Sequence, residues 1–102
     1  MKLVWSDKFK DKIRDYFDYC LINYGKALTS KKQSKLNNML NGLRIFPESG
    51  RIELLLKGMD KEYRALNFEK QFRIIYTVGE DDITLVTLWN TKMSPRKLKK
   101  DL

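Results

Sequence analysis

The spacing of apolar residues changes once along the chain, and this change limits the fold more than any other feature. Residues 9–24 place apolar side chains every three or four positions, as one face of an α-helix does. Residues 36–43 repeat that spacing. From residue 63 to residue 90, apolar and polar side chains alternate, which is the period of a β-strand. Helices followed by strands predict an α+β domain with an antiparallel sheet.

Residues 7–46 are predicted to form an antiparallel helical hairpin. Ser6 is a good N-cap for the first helix, and Gly25 is placed to end it. The second helix is expected to end before Pro47, where the pattern breaks. A short link between two helices with apolar faces favours antiparallel neighbours. Residues 2–5 precede the hairpin and are predicted to form an N-terminal strand.

A three-stranded antiparallel meander is predicted after the hairpin, as part of one sheet. Its strands are expected at residues 63–68, 71–78 and 83–90. Tight turns are expected at Glu69-Lys70 and at residues 79–82. Residues 51–62 fit either a strand or a helical turn and stay unassigned. The length fits one domain over residues 1–102.

Strand alternation assigns side chains to the two faces of the sheet, with turns centred at Glu69-Lys70 and Glu80-Asp81. The face on the helices is predicted to carry Tyr63, Phe72, Ile74, Tyr76, Val78, Ile83, Leu85 and Trp89. The opposite face is predicted to carry Arg64, Leu66, Arg73, Ile75, Thr84, Val86, Leu88, Asn90 and, by parity, Lys92. A one-residue error in either turn exchanges these faces.

The face away from the helices combines cations with apolar residues. The guanidinium of Arg73 suits phosphate or carboxylate because its planar fork donates two parallel hydrogen bonds. An ordinary salt bridge within the sheet is the alternative role for this residue. Ile75, Val86 and Leu88 are too apolar for a fully solvated surface. A partner chain, the tail or another subunit is therefore expected to cover them.

Twenty-one Lys and Arg against thirteen Asp and Glu give a formal net charge of +8. This excess favours a polyanionic or acidic partner, with a merely solvated basic surface as the alternative. The chain has no His and one cysteine, Cys20, which excludes His-based catalysis and intrachain disulfides. No metal site and no cofactor are expected. Without an apolar run of membrane-spanning length or a signal-peptide pattern, a cytoplasmic protein is expected.

Several short motifs lie in a fixed order along the chain. Val4-Trp5-Ser6 forms the first strand and cap, and Phe46-Pro-Glu-Ser-Gly-Arg51 contains a Pro-x-x-Gly-Arg element. Tyr63-Arg-Ala-Leu66 and Phe72-Arg-Ile-Ile-Tyr76 lie in predicted strands, and Trp89-Asn-Thr-Lys-Met-Ser-Pro95 leaves the last one. Their order and spacing, over nearly the whole chain, resemble the RelE/ParE superfamily of toxins.

This resemblance implies the toxin of a type II toxin–antitoxin pair. Its partner is then an antitoxin encoded beside it, which wraps the toxin with an acidic and apolar segment. ParE-like members inhibit DNA gyrase, whereas RelE-like members cut mRNA on the ribosome. The Pro47-to-Arg51 element and the long first helix are more similar to the ParE-like branch, which puts gyrase inhibition first.

A RelE-like mRNA endoribonuclease is the first alternative, so enzymatic activity stays open. The resemblance then assigns catalysis to Arg73 and to Lys92, which replaces an Arg of the family pattern. A catalytic Tyr is expected in the C-terminal segment, but none follows Asn90. The second alternative is a non-catalytic nucleic-acid or protein-binding module. The residues predicted to bind the target or the antitoxin are Arg64, Arg73, Asn90, Lys92, Arg96 and Lys97.

The lysine-rich tail after Pro95 has two interpretations. It is either a frayed, solvated terminus or a surface that contacts nucleic acid or the antitoxin. The sequence leaves open the identity of the antitoxin and the oligomeric state.

Overall fold

The structure, a computed structural model, describes residues 1–102 and confirms the α+β class. The elements are β1 (Lys2–Trp5), α1 (Asp7–Ile45), β2 (Arg51–Ile52), a 3-10 helix (Leu54–Leu56), β3 (Arg64–Phe68), β4 (Phe72–Val78), β5 (Asp82–Asn90) and α2 (Pro95–Lys100). Residues 51–62, which the sequence left unassigned, thus contain both a short strand and a helical turn. None of the helices has the length and apolar content needed to cross a membrane.

α1 contains the predicted hairpin, because the helix breaks at Gly25. That residue has φ 82° and ψ 175°, which a glycine adopts without strain. A straight helix of this length would span about 58 Å at the usual rise per residue, yet the longest extent of the molecule is 40 Å. Phe9 and Ile13 of the first half share one buried cluster with Leu36, Leu40 and Leu43 of the second half, so the second half folds back onto the same side of the sheet. The two halves are therefore antiparallel.

The sheet has five strands in the order β1-β5-β4-β3-β2. β3, β4 and β5 form the predicted antiparallel meander. β1 adds to β5 in parallel, and the short β2 adds to β3 at the other edge. The sheet is therefore mixed and has two more strands than the meander alone.

The first meander turn is one residue longer than predicted. Phe68 pairs with Phe72, so the loop comprises three residues and begins at Glu69, which has φ 57°. The extra residue shifts the register, so the predicted pairing of Arg64 with Ile75 is wrong. Arg64 instead pairs with Tyr76, on the side of the helices. Leu66 moves to the same side, where it packs on the main core.

A β-bulge in β5 changes the faces a second time. The predicted pairs of Val78 with Ile83 and of Tyr76 with Leu85 are confirmed, but Ile75 pairs with Thr87, so Val86 has no opposite residue. From Thr87 onward, every β5 side chain is on the other face from the one predicted, whereas the β4 side chains keep their predicted faces. Trp89 consequently lies opposite Arg73, away from the helices. Leu88 and Asn90 lie on the side of the helices, contrary to the prediction.

Apolar side chains bury both faces of the sheet. The main core lies between the sheet and α1 and includes Phe9, Leu40, Ile74, Tyr76 and Leu85. A second cluster lies on the other face, made of Leu56, Tyr63, Ala65, Ile75, Trp89 and Leu98, with Val86 packed against it. Tyr63 is therefore on the far face, which corrects its predicted position. The 3-10 helix and α2 cover this face of the sheet. The tail is thus one of the segments that cover the apolar residues of this face.

Candidate functional site

A groove of about 590 Å³ lies where the end of β5 meets α1 and α2. α1 contributes Lys12, Asp15 and Tyr16, the sheet contributes Phe72, Leu88, Trp89 and Asn90, and the C-terminal segment contributes Met93, Lys97, Lys100 and Asp101. We call it the tail groove. Its lining joins apolar and aromatic side chains to charged ones, which is the composition of a protein-binding or ligand-binding groove.

Local sequence explains how α2 forms one wall of this groove. Ser94 accepts a hydrogen bond from the amide of Arg96 at 3.2 Å, and Pro95 starts the helix with its φ already fixed. Leu98 is fully buried in the second cluster. Asp101 accepts a hydrogen bond from the hydroxyl of Thr87 at 3.1 Å. The tail is therefore a docked helix, and its interpretation as a frayed terminus is wrong.

Asp101, at the C-terminal end of α2, also forms salt bridges with two lysines of α1. Its carboxylate lies 3.9 Å from the ammonium groups of both Lys8 and Lys12, and its side chain is only 15% exposed. Both lysines are about half exposed, so each pair contributes little alone. The only acid of the tail thus pairs with lysines of α1, and none of the tail cations forms a salt bridge.

The predicted cations of the tail are brought together on and beside α2. Arg96 and Lys97 lie in α2 and Lys92 in the turn before it, and all three are solvent exposed. Asn90 ends β5, and its side-chain oxygen accepts a hydrogen bond from the amide of Lys92 at 3.0 Å. These four of the six predicted binding residues therefore lie at one end of the molecule.

Arg73 does not line the groove, and its guanidinium is paired within the protein. Its Nη1 donates to both carboxylate oxygens of Glu53, at 2.9 and 3.2 Å. Glu53 is 4% exposed and also accepts a hydrogen bond from the amide of Leu55. The guanidinium carbon lies 5.5 Å from the centre of the Trp89 ring, within range of a cation–π interaction. Arg73 thus fastens the 3-10 helix to the sheet.

Arg64 is separate from both groups. Its Nη1 donates to the carbonyl of Gly50 at 2.9 Å, and its Nη2 lies 3.6 Å from a carboxylate oxygen of Glu62. The predicted gathering of Arg64, Arg73 and Lys92 on one face is therefore wrong. The loop of three residues and the bulge are the physical reasons, because each changes the face of the strand residues beyond it.

The pKa values of three tyrosines are raised, further from neutral pH. Burial raises the pKa of Tyr16, which lines the tail groove, above its ordinary range. Burial also raises the pKa of Tyr63 and of Tyr76. A phenol that keeps its proton more firmly is a poorer general base. No group of three or more His, Cys, Asp or Glu side chains converges as a metal site would require.

Sequence reasoning missed Glu53, Lys12, Tyr16 and Asp101. Glu53 did leave a signal, because it is the only acid within the apolar run from Ile52 to Leu56. Asp101 is likewise the only acid of the tail. Lys12 and Tyr16 left no such signal, because helical periodicity shows which residues share a face of α1 but not which of them line a groove.

Comparison with known proteins agrees with this architecture. Residues 3–95 match the family model described as the ParE toxin of type II toxin–antitoxin systems, parDE. Among solved structures, the fold is similar to a chain of the chromosomal ParDE system from P. aeruginosa, with a TM-score of 0.69 and 16% identity. That alignment covers 88% of this chain and 95% of the other. No curated protein matches the sequence. The chain therefore belongs to the ParE toxin family of type II toxin–antitoxin systems.

Proposed function

We propose that this toxin inhibits DNA gyrase and does not cleave mRNA. The observation that carries the proposal is the bond between Arg73 and Glu53. A ribonuclease of the RelE type is expected to use this arginine to stabilise the charge that develops on the reacting phosphate. Here the guanidinium already donates to a buried carboxylate. Its charge is neutralised within the fold, so it is poorly suited to that role.

The remaining requirements of RNA cleavage are also poorly met. The reaction needs a group that removes the proton of the 2′-hydroxyl and another that protonates the leaving oxygen. The chain has no His, and no Tyr follows Asn90. Tyr76 is fully buried, and its hydroxyl bonds to Pro47 and Gly50. These features favour a toxin that acts by binding its target.

Membership in the family gives the toxin an antitoxin as partner. We place the antitoxin segment in the tail groove, where acidic side chains would meet Lys97 and Lys100 and apolar ones would meet Met93. The groove is also lined by Trp89 and Tyr16, which give it an aromatic surface for an apolar segment.

A supercoiling assay tests the proposed target. Purified toxin is added to DNA gyrase with relaxed plasmid, and supercoiling is expected to fall and to return when the antitoxin is added in excess. In parallel, ribosomes programmed with mRNA receive the same toxin, and the mRNA is expected to stay intact. Full supercoiling at high toxin excess, or cut mRNA, would contradict the proposal.

A paired substitution separates the two chemistries more sharply. The double substitution Arg73→Met and Glu53→Gln removes both charges of the pair, so no unpaired ion is left in the protein. A nuclease that uses Arg73 would lose its activity, whereas inhibition of gyrase is expected to persist. Arg73→Met alone is the matched control for stability, because it leaves the buried carboxylate of Glu53 uncompensated. Its lower thermal midpoint, compared with the double variant, would confirm that Arg73 is structural.

A further inference from the structure

The net positive charge of the protein is concentrated in two segments. The second half of α1, from Lys26 to Arg44, has five cations and no acid. The C-terminal segment has five cations and one acid, and its cations are Lys92, Arg96, Lys97, Lys99 and Lys100. The tail cations make no salt bridge, because Asp101 pairs with Lys8 and Lys12 of α1. The C-terminal segment therefore carries a strong local positive field.

Because α2 is docked on the protein, its cations are held in fixed positions. Leu98 is fully buried beneath the helix, and Ser94 and Asp101 hold its two ends. Cations three and four positions apart on one helix repel each other, which costs stability until an anion neutralises them. A docked helix with several such pairs is a preorganised anion-binding surface, whereas a frayed terminus would have to be ordered at the moment of binding.

The tail cations divide into two sets. Lys97 and Lys100 line the tail groove, while Lys92, Arg96 and Lys99 lie outside it and are exposed. We call these three residues the outer cation surface. We propose that the outer cation surface binds the phosphate backbone of duplex DNA, without regard to base sequence. The proposal goes beyond gyrase inhibition, because it concerns DNA itself and requires no other protein.

The chemistry of the outer cation surface favours DNA over an acidic protein segment. α2 exposes no large apolar residue, since Leu98 is buried, and the exposed Met93 lies before the helix and lines the groove. Exposed ion pairs between protein chains contribute little by themselves. Neutralising DNA phosphates instead releases condensed counterions, which gives charge alone a useful affinity. Two of the three exposed cations lie on a helix that shows no large apolar side chain, so the surface suits a phosphate backbone better than an apolar peptide.

The test is binding of the full-length toxin to a short fluorescent DNA duplex, followed by anisotropy at several salt concentrations. Each cation that neutralises a phosphate contributes about 0.9 to the slope of log affinity against log salt. The variant Arg96→Gln/Lys99→Gln is expected to lower that slope by about 1.8 and to weaken binding roughly tenfold or more at low salt. Circular dichroism should show an unchanged fold, since both side chains are exposed.

The matched control is Lys26→Gln/Lys31→Gln, which removes the same charge from the other cation-rich segment. Both lysines are exposed and make no salt bridge. The control is expected to keep the slope of the natural protein within error. Equal losses in both variants would show an effect of net charge alone and overturn the proposal, as would the absence of DNA binding at low salt.

Two further arms identify the partner. An RNA duplex of the same sequence is expected to bind no better than DNA, and a clear preference for RNA would overturn the assignment. The antitoxin is expected to bind the Arg96→Gln/Lys99→Gln variant normally. Loss of antitoxin binding with DNA binding intact would assign the surface to the protein partner instead. The supercoiling assay is read separately, so gyrase inhibition without DNA binding would reject only this inference.

Discussion

The hydroxyl oxygen of Tyr76 accepts a hydrogen bond from the backbone amide of Gly50 at 2.9 Å. The same hydroxyl donates to the carbonyl oxygen of Pro47 at 2.8 Å. Tyr76 is fully buried in β4, so these two bonds fasten the loop after α1 to the centre of the sheet. The Pro-x-x-Gly-Arg motif thus has a structural role, because it places a proline carbonyl and a glycine amide around one phenol.

Tyr76→Phe is expected to destabilise the protein by about 1–3 kcal/mol, because the buried amide of Gly50 loses its acceptor. Urea unfolding followed by circular dichroism measures the change. Tyr24→Phe is the control, since Tyr24 is about half exposed, and its effect should stay within about 0.5 kcal/mol. Equal stabilities of the two variants would show that the Tyr76 hydrogen bonds contribute little.

Gly50→Ala is expected to destabilise the fold for a steric reason. A Cβ atom at this position would lie 2.5 Å from the Tyr76 hydroxyl and 2.7 Å from the carbonyl oxygen of Ala65. Relief of this overlap should cost about 1–3 kcal/mol. Gly42→Ala is the matched control, because a Cβ there meets nothing within 4 Å. In a helix interior it should stabilise the protein by about 0.5–1 kcal/mol, so opposite signs of the two shifts in thermal midpoint are expected.

Leu98→Ala is expected to release α2 from the far face of the sheet. Leu98 is fully buried, and its truncation should cost about 2 kcal/mol or more. Limited trypsin digestion measures the release directly, because the lysines and arginine of α2 become cleavable when the helix undocks. Leu54→Ala, at a side chain 74% exposed, should leave the digestion pattern unchanged. A tail cleaved equally fast in the natural protein would contradict the docked helix.

Stability is expected to fall at alkaline pH because of Tyr76. Burial raises the pKa of its phenol above the ordinary value near 10. The unfolded chain therefore releases this proton at a lower pH than the folded chain does. The stabilisation is complete below about pH 10 and is lost as the pH rises toward the raised pKa, by up to about 1.4 kcal/mol per pH unit. Urea midpoints measured across this range should fall less steeply for Tyr76→Phe, and identical slopes would contradict the assignment.

The elements of the fold follow from local properties of the sequence. Ser6, Gly25 and Pro47 mark the ends of the two halves of α1, and apolar spacing sets which faces they bury. Alternation between residues 63 and 90 predicts the three strands of the meander. Each of these features acts over a few neighbouring residues, so it can be recognised without knowing the rest of the molecule.

Which side chains meet at the candidate site depends on how the strands pair, and strand pairing is a tertiary property. The first turn has three residues instead of two and begins at Glu69, whose backbone has left-handed dihedral angles. The unpaired Val86 adds one residue to β5. The unpaired Val86 has a hydrogen-bond partner that is distant in the sequence. Its carbonyl oxygen accepts a hydrogen bond from the Ser6 side chain at 2.7 Å. No local pattern around Val86 reveals that partner, which lies eighty positions earlier.

The sequence by itself determined the α+β class, the helical hairpin, the meander and the cationic tail. Only the tertiary structure decided that Arg73 meets Glu53 and Trp89, that Arg64 lies on the other side of the sheet, and that Leu98 docks α2. For Arg64 and Trp89 the physical reason is the two-residue period of a strand, while Glu53 and Leu98 reach the sheet from segments with no strand period. A single added residue moves every later side chain to the opposite face, while the apolar content from which strands are recognised stays the same.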